Sequence, residues 1–144
     1  ASPYEKLGFE FLDYKGTYYY EGYGIELHIH KPEWDKDVED GHALDWSISF
    51  VEPNVKGYRT EIIYFEDTSM YIISMEKDGA KVAFNYYPVE DRYEYNPNDI
   101  DPLRPALTEA LGNDFMNVPM DIFKANIQEL FGMGIDELYA LPKQ

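Results

Sequence analysis

Residues 70–87 read MYIISMEKDGAKVAFNYY. Two segments rich in β-branched and aromatic residues, Met70–Met75 and Lys81–Tyr87, flank the pair Asp78-Gly79. An Asp-Gly pair so placed is a strong hairpin signal, because both central positions of the tight turn need a positive φ. Pro88 stops the second segment, since it has no N–H to give to a sheet. Upstream, Tyr58–Phe65 reads as another strand, and Glu52-Pro53-Asn54 is predicted to begin a turn that Gly57 finishes. Leu44, Trp46, Ile48 and Phe50 alternate with Asp45, Ser47 and Ser49, and Ile25, Leu27 and Ile29 alternate with Glu26, His28 and His30. Period-two alternation predicts strands with one buried and one wet face. Thr17–Tyr20 has high β propensity, with Gly22 and Gly24 read as a break or bulge. Residues 31–42 are a polar connection, and residues 1–16 show no clear element, although Phe9, Phe11 and Leu12 read as buried.

Downstream of Pro88 the period changes. Residues 89–101 form an acidic, proline-punctuated stretch predicted as a loop. Asp101 is placed to cap a helix and Pro102 to sit at its first position. Leu103, Leu107 and Leu111 then share a face, and Gly112 is the stop. A second helix is predicted over Pro119–Phe131, with Phe123, Ile127 and Leu130 inward and Gly132 ending it. A short third helix runs from Ile135 to Leu141, closed by Pro142. Strands first and helices last predict an α+β fold. A curved antiparallel sheet of five to six strands (residues 17–87) is followed by two or three helices (residues 102–141) packed on one face, in a single domain over 1–144.

The composition narrows the function. The chain has 144 residues, with 12 Lys and Arg against 28 Asp and Glu, a formal charge of −16. Direct nucleic-acid binding and docking on anionic membrane both need the opposite sign. With no cysteine, thiol catalysis, disulfides and thiolate metal sites are excluded. No apolar run approaches the roughly 18 residues of a membrane span. Ala1-Ser2-Pro3 follows no charged and apolar leader, and together with the missing cysteine this gives a cytoplasmic expectation. There is no glycine-rich phosphate loop, dinucleotide fingerprint or Gly-x-Ser-x-Gly elbow, so neither catalytic residues nor a cofactor are assigned.

The acids are densest in two stretches. One holds Glu33, Asp35, Asp37, Glu39 and Asp40; the other holds Glu90, Asp91, Glu94, Asp99 and Asp101, interleaved with Tyr93 and Tyr95. A surface charge of this kind keeps any domain dispersed, and it also speeds encounter with a cationic protein. Tyrosine stacks on arginine while carboxylates pair with it. The leading expectation is therefore a non-enzymatic binding protein of inhibitor, immunity or anti-defence type. It would occlude the basic site of a nuclease or other nucleic-acid-handling partner by mimicking nucleic-acid charge. The twelve residues of the two stretches would be the contact set.

The alternative is a small metal-dependent enzyme. His28, His30 and His42 fall within 15 residues, and His28 and His30 project from one strand face, with Asp35, Asp37 and Asp45 near in sequence. Paired imidazoles with a carboxylate suit a transition metal. Gly22, His28 and His30 resemble the opening of the first cupin motif. The chain then departs from it: Trp34 or Asp35 stands where that family has Glu, His42 stands at its closing Gly, and no histidine remains for a second motif. A calcium loop beginning at Asp35 has Asp40 in place of the turn glycine and Trp46 in place of the closing Glu. A further alternative is an acidic secretion chaperone or a virion component. The chaperone pattern wants a helix ahead of the first strand, and the sequence predicts none.

Overall fold

In the computed structural model, which describes residues 2–12, 17–30, 47–66 and 68–143, the chain begins with a single helical turn, α1 (Pro3–Lys6). Eight strands follow: β1 (Glu10–Leu12), β2 (Thr17–Gly22), β3 (Ile25–His30), β4 (Ser47–Val55), β5 (Tyr58–Phe65), β6 (Met70–Lys77), β7 (Ala80–Tyr87) and β8 (Arg92–Glu94). Each pairs antiparallel with its neighbours in chain order, giving one open, curved meander. Helices α2 (Pro97–Ile100), α3 (Arg104–Leu111), α4 (Asn117–Phe131) and α5 (Ile135–Tyr139) complete the chain, with a 3-10 turn at Asp101–Leu103.

The predicted α+β class, antiparallel curved sheet and terminal helices are all present. Residues 17–87 hold six strands, and β1 and β8 extend the sheet to eight. Each of those two is three residues long, too short to display a period. The turn at Asp78-Gly79 has φ of 51° and 80°, and Tyr23-Gly24 (55° and 79°) and Lys56-Gly57 (53° and 88°) share it. Positive φ at both central residues is the turn whose twist matches that of the paired strands. Gly24 thus closes a hairpin and does not interrupt a strand. Glu52-Pro53-Asn54 is also not a turn: β4 runs through it to Val55, and the register against β5 shifts between Glu52 and Val55. A bulge is where a sheet tolerates proline, because the missing N–H falls at a break in the ladder.

The helical part also departs in detail. Asn96, not Asp101, caps the first turn, accepting from the Asn98 N–H at 3.0 Å with Pro97 at the first helical position. Asp101 lies in the 3-10 turn and pairs with Arg104 at 3.2 Å. α1 supplies the helix that the sequence did not reveal ahead of the first strand, held by a capping box between Ser2 and Glu5. Leu44 and Trp46 lie outside the described residues.

Alternate residues of the strands build the core. Leu27, Ile29, Phe50, Ile62, Ile73, Met75 and Phe84 are buried on one face, and α3 to α5 pack over it. Phe123 of α4 stacks on Phe50 with ring centres 4.7 Å apart and meets Tyr71 edge-on at 6.3 Å. One turn further, Ile127 is fully buried, as predicted. Phe131 stacks on Phe9 at 5.4 Å. Each such side chain contributes about 1.5–3 kcal/mol by leaving water. Two polar ties join the layers: Asn126 donates to Glu52 at 3.4 Å, and the Tyr139 hydroxyl donates to Glu66 at 3.0 Å. The two ends of the chain meet where the Tyr4 hydroxyl donates to the Leu138 carbonyl at 2.7 Å. No described helix is long and apolar enough to cross a membrane.

Candidate functional site

The other face of the same strands carries the polar residues. One cross-strand row reads Glu10, Tyr19, His28, Ser49, Ile63, Ile72, Asn85, Glu94. The next reads Glu21, Glu26, Val51, Glu61, Ser74, Ala83. Glu21 and Glu26 are directly opposed across β2 and β3, an arrangement that destabilises a sheet. The Tyr19 hydroxyl donates to Glu21 at 2.8 Å. That bond, then burial, then the charges of Glu26, Glu21 and Glu10 push the phenol up to about 12. Tyr19 packs on the His28 ring at 4.8 Å, and the His28 and His30 rings lie nearly parallel, 5.5 Å apart. His28 Nε2 is 3.7 Å from a Glu26 oxygen, and His30 Nε2 is 3.2 Å from the Ser49 hydroxyl. The strand therefore presents the two histidines side by side, as their spacing predicts. His42 and Asp35 lie outside the described residues, and among the described residues no three His, Asp or Glu side chains converge to hold a metal ion.

The predicted contact set is split. Glu33, Asp35, Asp37, Glu39 and Asp40 lie outside the described residues. The second stretch is described throughout and is largely structured, not a loop: it comprises β8, α2 and the turn before them. Tyr93 is a strand residue on the covered face, half-buried against Tyr86 (4.7 Å) and Phe84 (5.8 Å). Burial, more than the nearby Tyr86, Asp121 and Asp91, raises its phenol well above the ordinary range. It anchors the edge strand to the core. Tyr95 is 37% exposed, with the Arg104 guanidinium 5.8 Å from its ring centre. Asp91 accepts from the Tyr86 hydroxyl at 2.8 Å, and Glu94 pairs with Arg92 at 3.2 Å. Glu90 and Asp99 are exposed.

The surface sign follows from 28 acids against 12 bases, and the arginines are paired locally. The chain has three, Arg59, Arg92 and Arg104. Each is committed to an acid two or three residues away: Glu61, Glu94 and Asp101. The excess of carboxylates over lysines and arginines sets the field.

Among the described residues, clefts open at the helix–sheet boundary, and two bear on function. One, of about 590 Å³, is lined by Tyr58, Met75, Val82, Leu103 and Leu107, with Lys77, Asp78 and Glu109 also on its walls. The other, of about 660 Å³, lies between α4, α5 and the paired residues Tyr71 and Tyr86. Tyr71 is 4% exposed. Burial raises its phenol far above the ordinary range, with Tyr64, Asp136 and Tyr86 adding to the effect. Sequence reasoning missed this cleft, because its carboxylates come from α5 and its tyrosines from mid-sheet strands.

No family model, curated protein or solved structure matches this chain.

Proposed function

We propose that this chain is a non-enzymatic binding protein that occludes a basic site on another protein, a nuclease or other nucleic-acid-handling enzyme. The observation that carries the reading is the opposed pair Glu21 and Glu26. Like charges placed directly across a strand pair work against the fold, so their use is sought outside it. Glu10 lies on the same sheet face, as do Glu61, paired with Arg59, and Glu76, which lies between Arg59 and Lys81, and half-buried Val51, Ile63 and Ile72 lie among them. Carboxylates around an apolar centre suit a partner whose lysines and arginines surround a contact patch. Exposed Glu90, Asp91 and Asp99, before and after β8, add to the same field, whereas Glu94 and Asp101 are paired with Arg92 and Arg104.

The test starts with a salt-eluted partner captured on immobilised protein, then purified and measured by titration. Reversing Glu90, Asp91, Glu94, Asp99 and Asp101 to lysine, together with Glu21 and Glu26, is expected to abolish binding. Wild-type affinity should fall steeply with added salt. Undiminished affinity in the reversed variant defeats the reading, and so does a spread of unrelated basic proteins with no partner that binds when purified.

A further inference from the structure

The cleft between α4, α5 and strands β6 and β7 has a polar group with no hydrogen-bond partner among the described residues. The Tyr71 ring is packed by Tyr64, Tyr86 and Phe123, and its side chain is among the cleft walls. No hydrogen bond to its hydroxyl exists among the described residues, whereas Tyr86 and Tyr139, on either side of it, donate to Asp91 and Glu66. The hydroxyl is not sealed in: the only fully enclosed, unpartnered side-chain polar atom among the described residues is Thr60 Oγ1. It therefore meets solvent through the cleft. A buried hydroxyl with an open approach is an unused acceptor in a shaped site.

The surrounding charge selects what fits. Asp136 and Glu137 line the cleft, and Asp121 and Asp91 act on Tyr86 from beside it. Glu137 also accepts from the Gly134 N–H at 3.5 Å, so the backbone start of α5 already has its negative partner. Lys124 is the cation among the lining residues, and its Nζ stands 5.8 Å from the centre of the Tyr86 ring. The chain thus places a positive charge of its own on this aromatic wall. A ring face flanked by carboxylates is the environment that favours organic cations.

We propose that this cleft binds a guanidinium or alkylammonium group, stacked on Tyr86, hydrogen-bonded to the Tyr71 hydroxyl and paired with Asp136. Lys124 is then a resident competitor that an incoming cation displaces. The volume of about 660 Å³ is enough for an arginine side chain and its immediate backbone. The site extends the function proposed above, and rests on that reading only for the source of the cation, an arginine or lysine of the basic partner.

The experiment is an NMR titration of the isotope-labelled full chain with capped arginine, and in parallel with the capped citrulline derivative, which keeps the shape and lacks the charge. Saturable shifts at Ile135, Asp136 and Glu137 are expected with arginine, at least about ten-fold tighter than with citrulline. Asp136→Asn is expected to weaken binding by about ten-fold, and Tyr71→Phe by several-fold with the amide spectrum otherwise preserved. Lys124→Met is expected to strengthen it, and weaker binding in that variant would overturn the proposal. Equal response to arginine and citrulline, or an unchanged affinity in Asp136→Asn, would also overturn it. An arginine-centred neutral peptide binding more tightly than agmatine assigns the cation to a partner chain, and the reverse order assigns it to a free small molecule. A failed titration leaves partner capture by the sheet face untouched, and failed capture leaves the titration untouched, so the two readings fall separately.

Discussion

The two faces of the β2–β7 sheet are made by alternate residues of the same strands, yet they obey opposite rules. On the covered face, Phe50, Ile62 and Ile73 are buried and aromatic rings interlock with α4. On the other face Glu21 opposes Glu26 and histidine lies beside histidine. Residues one position apart belong to the same strand. What separates them is which side they project to. The contrast assigns the covered face to stability and leaves the other free to spend stability on recognition.

Removing an apolar group from the covered face and removing a charge from the open face should therefore shift stability in opposite directions. The largest effect is expected from Phe123→Ala, which opens a cavity against Phe50 and Tyr71 and should lower unfolding free energy by about 3–5 kcal/mol in urea titration. A loss below ~1 kcal/mol would mean that the helix layer contributes little to the sheet. Thr60→Val sharpens the rule from within the covered face. The Thr60 hydroxyl is buried without a partner, and its removal should raise stability by about 1 kcal/mol, read as a higher urea midpoint at unchanged slope.

Glu52 tests the rim of the same face. It lies opposite buried Thr60, and burial raises its carboxyl above the ordinary range although the Asn126 hydrogen bond works the other way. In the window between the unfolded and the raised folded pKa, the folded state holds more protons. Stability contributed by Glu52 therefore falls as pH rises through that window. Glu52→Gln should stabilise the protein at neutral pH and make no difference once both forms are protonated, as thermal melts across that range would show. The smallest effect belongs to the open face. Glu26→Gln removes the opposed charge and should raise stability by about 0.2–1 kcal/mol, while weakening capture of the basic partner. A variant that becomes less stable would show that Glu26 supports the fold.

How much of this was readable beforehand follows from the range of each signal. The Asp78-Gly79 turn fixes its own register, so counting back from it already places Tyr71 opposite Tyr86, and the structure has them paired. The C-terminal end of α4 was equally local, with Gly132 adopting φ of 69° as the helix stop, whereas the helix begins at Asn117, two residues before the predicted Pro119. What escaped was either too short or too distant. β1 and β8 have three residues each, and α1 is one turn held in place by contacts with the far end of the chain. Tyr93 looked like a surface anchor because its neighbours are acidic, but pairing with Tyr86 turns it onto the core. The cleft escaped because Asp136 and Tyr71 are brought together only by the docking of α5.

The bond from Tyr4 to Leu138 has a kinetic meaning. Every strand pairs with its sequence neighbours, so the sheet is assembled from short-range closures, which form quickly. The Tyr4 bond spans 134 positions, and closing a loop of that length carries a larger entropic loss than any of the hairpin closures. Such a contact is favoured only after the meander and helices have already drawn the ends together. It is a clasp on a zip: it fastens last, and on opening it frees α1 first, since α5 keeps its tie from Tyr139 to Glu66.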